Sequence, residues 1–301
     1  YQLTNDLKLT TLFNARLDNL QNTGFSPRFL SANKDQNSGS NEFTKTFSWE
    51  FQAFANYNKT FAEDHNVYAL LGFSADRRRF DRFHSEYLNS VNEEVLVTFP
   101  DYLTSSKTYT SATANATASL FSRIGYNYKS RYLLQASYRR DGSSRFGPSN
   151  KWGNFFSGSA AWRFSDENFM KWAKPALQDA KLRYSFGQLG NDKIGDYESY
   201  AKVPFGGNYN GVGGASMTPT LGNYLIKWEM TTQNNVGLDL TFLNGRLSFT
   251  ADYYVKTTTD LLYPRELPKE TGYTKLQVNV GSIRTRGMEF VVSARPLVRP
   301  N

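Results

Sequence analysis

LFSRIGYNYKSRYLLQASYRRDGSSRFGPSNKWGNFFSGSAAWRF, running from Leu120 to Phe164, holds three strand-length segments joined first by a tight turn and then by a longer polar loop. In the first, Leu120, Ile124, Tyr126 and Tyr128 share one parity while Arg123 and Asn127 take the other, the period of two that marks a strand with one apolar face. Tyr132, Leu134, Ala136 and Tyr138 repeat it against Gln135, Ser137 and Arg139. After the loop, Phe156, Gly158, Ala160, Trp162 and Phe164 oppose Ser157, Ser159 and Arg163.

Alternation does not say which face is dry, because a soluble sandwich buries the apolar side and a membrane barrel shows it to lipid. Three features favour the barrel. Each run matches the roughly 9–11 residues that a tilted strand needs to cross a bilayer, against about 5–6 in ordinary sheets. Aromatics gather where the chain turns, at Tyr126, Tyr128, Tyr132, Trp162 and Phe164, as rings anchored at a membrane interface do. The connections are also unequal along the whole chain.

Composition fits. The 301 residues are 39% hydrophobic and 16% aromatic, and no apolar run reaches the eighteen or so residues of a membrane helix, which excludes helical spanning. A mean hydropathy of −0.57 is compatible with a strand barrel, which needs only every second residue apolar. Zero cysteines remove disulfides and thiolate chemistry, and the two histidines, His65 and His84, fall in different inferred connections, so a histidine metal cluster is not expected. The formal charge of +8 is spread over strand faces and turns rather than gathered in one stripe, which argues against nucleic acid as a partner. No signal sequence opens the chain.

Taken in order, Leu7 to Leu17 alternate as a first strand, Phe47 to Tyr57 as a second and Val67 to Ala75 as a third; the three segments quoted above are the fourth to sixth. Leu182 to Phe186 begin a seventh, Val236 to Phe242 form an eighth, Leu247 to Val255 a ninth, and a tenth ends in Met288, Phe290, Val292 and Ala294. Long polar connections (Asn19 to Glu42, Asp76 to Ser111, Arg140 to Gly153, Gly190 to Ile226, Tyr263 to Leu276) alternate with short ones (Lys59 to Asn66, Lys129 to Arg131, Asn244-Gly245). Between the sixth and seventh strands, Ser165 is placed to cap a short helix that Pro175 limits. In the tenth strand Arg284 and Arg286 share the parity of Met288, so either they stand above the bilayer or a bulge near Gly287 shifts the register. At the midplane each would cost about 2–4 kcal/mol. The fold expected is all-β: an antiparallel transmembrane wall of about ten strands, with long loops on one side and short turns on the other.

Several phrases resemble the barrel half of SusC/RagA-type TonB-dependent transporters: Tyr126 to Gly147, WRFSDENFMK (Trp162 to Lys171), KLRYSFGQLGN (Lys181 to Asn191), Lys227 to Leu262, and NVGSIRTRGMEF (Asn279 to Phe290). The resemblance covers about Leu120 to Phe290 and reaches the first third only through strand pattern. It implies a cell outer-membrane location, a 22-stranded barrel closed by an N-terminal plug, a segment that engages the TonB complex, and a SusD-like lipoprotein over the outer face. Residues 1–301 hold neither plug, TonB-engaging segment nor enough strands, so an incomplete arc of the larger barrel is expected. The function implied is uptake of oligosaccharides or peptides, with no bond chemistry and no cofactor.

Candidate site residues follow from parity and position. Arg123, Arg163 and Arg183 face the inner side near the short-turn ends, where they are placed either to contact a plug or to pair with Asp239, Asp252 and Glu289 along a wet wall. Tyr197, Tyr200 and Tyr209 lie in the glycine-rich connection, suited to stacking on sugar rings or peptide side chains. Arg77 and Arg79, of outward parity, are placed to meet lipid or lipopolysaccharide phosphates, or are simply solvated. RRDGSSRFG (Arg139 to Gly147) lacks the ending and following helix of a phosphate loop and reads as a structural loop turning at Asp141-Gly142. No Ser/His/Asp set or paired acid and base supports catalysis. A ten-stranded outer-membrane hydrolase and a soluble carbohydrate-binding sandwich or adhesin are the alternatives.

Overall fold

The computed structural model describes residues 1–30, 36–89, 104–202, 205–209, 212–215 and 220–295, with backbone alone at 104–107, 205–209 and 212–215. Ten strands, numbered here along the sheet, form its main element: β1 (Leu7–Ser26), β2 (Ser38–Phe61), β3 (His65–Leu88), β4 (Thr104–Tyr128), β5 (Tyr132–Ser143), β6 (Trp152–Arg163), β7 (Leu177–Asn191), β8 (Glu229–Phe242), β9 (Leu247–Thr259) and β10 (Ser282–Ala294). Their order in the sheet is their order in the chain, as expected where hairpins join antiparallel neighbours. From β4 to β10 every pairing is antiparallel, with one register shift at Thr241/Phe242.

Contacts divide the chain into two units: Tyr1–Thr11, Gln52–Ser74 and Thr117–Asn301 in one, Leu12–Phe51 and Ala75–Ala116 in the other. In the first unit one hydrogen-bonded rung crosses seven strands, from Tyr128 through Tyr132, Trp162, Leu182, Leu238 and Ala251 to Phe290. It leaves β4 and β5 beside their short turn and arrives at β10 four residues before Ala294, the partner of Leu247. The strands are therefore staggered, as barrel strands are.

The apolar face lies open. Ile124 is 57% exposed, Leu134 53% and Phe290 64%, and Trp49, Phe51 and Leu238 are half-buried rather than packed in a core. The buried apolar side chains among the described residues are few: Phe146, Phe155, Ala180, Ile194 and Ile226. Phe146, Ile194 and Ile226 cluster beneath Trp228 and Leu262 where the long connections meet, with the Trp228 ring 5.1 Å from that of Phe146 and 5.6 Å from that of Phe155. A sandwich would have buried the opposite set.

The short turns use left-handed residues, Ala62 and Glu63, Lys129 and Ser130, and Leu243, Asn244 and Gly245, whose positive φ suits the right-handed twist of the flanking strands. Beside them Glu167 accepts hydrogen bonds from the Tyr132 hydroxyl (2.5 Å), the Trp162 indole (3.1 Å) and Arg131 (3.2 Å). The first two of these hold its carboxyl below the usual carboxylate range. Tyr132 and Trp162, their polar ends fixed, thus form an aromatic rim with Phe164 beside the Trp162 ring.

Four expectations need correction, and one open alternative closes. The strands of the first third run 20–25 residues, so much of the expected loops Asn19 to Glu42 and Asp76 to Ser111 is strand. His65 and His84 consequently sit at opposite ends of β3, not in connections. Ser165 caps no helix: two 3-10 segments, Phe164–Asp166 and Asn168–Ala173, fill that stretch, Ser165 reaches Asp179 instead (3.4 Å), and β7 begins at Leu177. Asp141 and Gly142 remain in β5, paired with Gly153 and Trp152, because the Trp152 ring lies where a Gly142 side chain would be; the turn comes at Pro148–Asn150. No bulge occurs near Gly287, since β9 and β10 pair without interruption from Leu247↔Ala294 to Thr259↔Ser282. A register shift therefore does not account for the outward parity of Arg284 and Arg286.

Candidate functional site

The face opposite the apolar one carries the charges, and glycines decide how they meet. Gly237 of β8 lies between Arg183 of β7 and Asp252 of β9, and a Cβ there would come within 2.6 Å of the guanidinium and 2.5 Å of the carboxylate. Without that atom Arg183 reaches across a whole strand: its Nη2 donates to Asp252 (3.2 Å) while Nε and Nη2 grip Asp239 (2.7 and 2.9 Å). Lys181 adds a second cation to Asp239 at 3.2 Å, Thr250 donates to Asp239 and Asn235 to Asp252. Two cations face these two carboxylates, and Glu289 stands opposite Asp252 on β10.

The same device recurs at Gly125 of β4. The Tyr68 ring of β3 crosses it, and the Tyr68 hydroxyl donates to Gln135 of β5 at 2.7 Å. Gly72 of β3 likewise admits Phe54 and Phe121 from its two neighbours. Sequence reading missed these residues; the available signal was glycine at inner parity in strands that otherwise alternate, but the partner follows only from register.

Of the predicted charged residues, Arg183 sits in this ion-paired patch and Arg163 pairs with Asp179 at 3.1 Å. Arg123 shares their face, opposite Ser137, and is exposed with no ion pair among the described residues. The structure therefore brings Arg183 together with Asp239 and Asp252 but does not gather the three arginines.

On the long-connection side a cleft of about 720 Å³ is lined by Arg145, Lys193, Ile194, Gly195, Glu198, Thr220, Leu262, Pro264, Lys275 and Gln277. Arg145, which the sequence reading passed over, anchors it, donating to Asp196 (3.1 Å) and Asp192 (3.4 Å) while Ser143 donates to Asp192 (2.7 Å). Thr220–Leu221, Leu262–Glu266 and Lys275–Asn279 pair into a three-stranded sheet that carries several of the lining residues. Tyr197 and Tyr200 are exposed on the adjoining turn, whose amide at Tyr200 bonds the Tyr197 carbonyl (3.1 Å), and neither lines the cleft. The Tyr209 side chain lies outside the described residues.

In the second unit, Arg82 donates to Glu42, and His84 lies between Glu42 (3.2 Å) and Glu86 (3.0 Å). Arg82, then His84, hold the Glu42 carboxyl below its ordinary value. Arg79 pairs with Asp81, and Arg77 lines a separate shallow groove with Trp49 and Asp76. Among the described residues no three His, Cys, Asp or Glu are grouped to hold a metal ion. No helix among them is long and apolar enough to cross a membrane, which says nothing of strands. The arrangement offers a charged face laced with ion pairs and a polar cleft: surfaces for binding.

Comparison with known proteins agrees with this architecture. The family model described as TonB dependent receptor-like, beta-barrel, matches residues 1–298. A TonB-dependent receptor of Formosa agariphila is 40% identical over 96% of this chain and 28% of its own length, and the TonB-dependent receptor SusC of Bacteroides thetaiotaomicron is 39% identical over 62% of this chain and 19% of its own. The RagAB peptide transporter structure superposes with a TM-score of 0.87 at 25% identity, over 97% of this chain and 32% of that one. The chain spans less than a third of the length of these relatives.

Proposed function

The chain belongs to the TonB-dependent receptor-like β-barrel family, and from that premise we propose that it forms part of the wall of an outer-membrane importer that takes up oligosaccharides or peptides together with a SusD-like lipoprotein, driven by the TonB complex through a plug. The observation that carries this reading is the open apolar face of a continuous ten-stranded sheet set against a charged opposite face. Lipid covers the first and water the second, as in a large barrel whose lumen is polar.

The long-connection cleft and the exposed Tyr197 and Tyr200 rings serve nutrient binding at the mouth. Arg123, exposed and without an ion pair among the described residues, is the residue of the inner face best placed to contact a plug; Arg163 and Arg183 hold the wall itself. The support for a SusD-like partner and for saccharide or peptide cargo is likeness to SusC and to the RagAB peptide transporter.

The test uses the full-length receptor in its host. Deleting it should abolish growth on one oligosaccharide or peptide source, and collapsing the proton gradient should stop uptake of the labelled nutrient while surface binding persists. Uptake that continues without the gradient, or a full-length protein that is soluble without detergent, removes the reading.

A further inference from the structure

We infer that the long-connection cleft takes a short uncharged oligosaccharide, held by side chains, and that a peptide does not bind there as an added strand. The inference rests on the importer reading and narrows its cargo at that same cleft.

The floor of the cleft is one face of the three-stranded sheet. Pro264 pairs with Gln277 and Thr220 with Lys275, so these four side chains, with Leu262, stand on the same side. The rest of the lining is the turn from Lys193 to Glu198 and Arg145, which grips the start of that turn through Asp192 (3.4 Å) and Asp196 (3.1 Å). None of these residues belongs to β1 or β10, the outer strands of the ten-stranded sheet, and all lie in the first unit.

An extended peptide joins a sheet by hydrogen bonding to backbone groups left free along an edge. Here both edges are closed. The Val280 amide bonds the Leu261 carbonyl (2.9 Å), which fixes the pairing: Tyr263 and Arg265 turn their backbone groups toward Lys275–Asn279, and Leu262, Pro264 and Glu266 turn theirs outward. Of those three outward positions, the Leu262 amide is taken by the Glu229 carboxylate (3.0 Å) and Pro264 has no N–H, which leaves only Glu266 as a donor. On the other side Thr220–Leu221 is two residues long, too short for a ladder, and Pro219 before it also lacks an N–H. Beyond its end the Gln277 carbonyl accepts from the Asn223 side chain (2.8 Å).

Recognition is therefore left to side chains, and theirs suit hydroxyls. Lys193, Lys275 and Gln277 offer donors, while the Glu198 carboxylate, folded over Gly195, offers acceptors. A sugar hydroxyl both donates and accepts, so it uses the two kinds together. Cations and a carboxylate share the lining, and Arg145 spends its charge on Asp192 and Asp196, so neither sign dominates as it would in a site for an acidic chain. Ile194, Leu262 and Pro264 add apolar surface for the C–H face of a ring. The volume of about 720 Å³ falls within the roughly 300–1,000 Å³ of small-ligand sites, and the exposed Tyr197 and Tyr200 on the adjoining turn extend the surface for further rings.

The test grows the host, with and without its full-length receptor, on three mixtures: the neutral and the acidic oligosaccharides of a mixed polysaccharide digest, separated by anion exchange, and a tryptic protein digest. Mass spectrometry of the medium shows which components disappear only when the receptor is present. Neutral oligosaccharides are expected. For the component so found, the Lys275→Ala/Gln277→Ala variant should raise the half-saturating concentration of uptake about tenfold with the maximal rate unchanged, and Thr220→Trp, which fills the cleft, should do the same. An unchanged heat-modifiable gel shift shows that each variant is folded. Receptor-dependent removal of peptides or of acidic oligosaccharides in place of neutral ones overturns the inference, as does a half-saturating concentration that neither folded variant moves. Removal of no component in any of the three mixtures would instead strike at the importer reading itself.

Discussion

Strands β1 to β4 run 20–25 residues and β5 to β10 only 12–15, and the two sets finish differently at their long-connection ends. The long strands extend as sheet as far as the described residues reach. In β2 and β3 side chains pair laterally, Arg82 with Glu42 and His84 with Glu42 and Glu86, and among the described residues no buried apolar cluster lies beside them. The short strands finish in folded loops that bury Phe146, Ile194 and Ile226 and clasp Arg145 between two aspartates. Backbone pairing spreads its hold over many bonds, whereas a small core concentrates it in a few side chains. One kind of ending should therefore tolerate single substitutions that the other does not.

Phe146→Ala gives the largest effect expected, about 3–5 kcal/mol for removing a fully buried ring. Amide exchange should rise sharply in residues 144–150, 192–200 and 223–228 while β5 to β8 stay protected; loss of protection throughout the sheet would show that the loops and strands are one cooperative unit. Gly237→Val places carbon against Arg183 and Asp252 and is expected to cost roughly 1–3 kcal/mol. It should lower the temperature of the heat-modifiable gel shift without loosening the loops, which locates the sheet's own lock beneath them. Arg145→Ala should cost about 1 kcal/mol, since its two ion pairs are only partly buried; protease nicking near Asp192 to Tyr200 reports it.

The smallest effect is expected in the long strands. Because Arg82 and His84 hold Glu42 below its ordinary value of 4.5, the interaction is complete above that value and is lost as pH falls through the depressed one. Protection of the Glu42 and Arg82 amides, taken relative to the intrinsic exchange rate at each pH, should fall as pH drops below about 4. Glu42→Gln should remove that acid response at once. Exchange that instead quickens at neutral pH in this variant would mean the long strands depend on one side chain as the loops do.

How much of this was legible follows from the same contrast. Period-two alternation located all ten strands, because a lipid-facing surface forces an apolar residue at every second position, as from Phe47 to Tyr57. It failed where lipid imposes no such demand: Ser38 to Glu42 has loop composition and is strand, and Asp141-Gly142 has turn composition and is strand. A lone Phe146 in a polar loop gives no hint of burial, since its partners Ile194 and Ile226 come from distant connections. Arg183 was placed correctly on the charged face, but its partner Asp252 lies two strands away across Gly237, a contact that only register reveals.

The strand-crossing bonds at Gly125 and Gly237 also have a mechanical consequence. Tyr68 to Gln135 and Arg183 to Asp252 act as short straps between next-nearest strands, all fastened on the side that carries the charges. Bending the sheet so as to spread that side must stretch a bond of 2.7 or 3.2 Å, whereas folding it the other way leaves both slack. Stiffness in this molecule is directional, and it is greatest against the deformation that would unroll it.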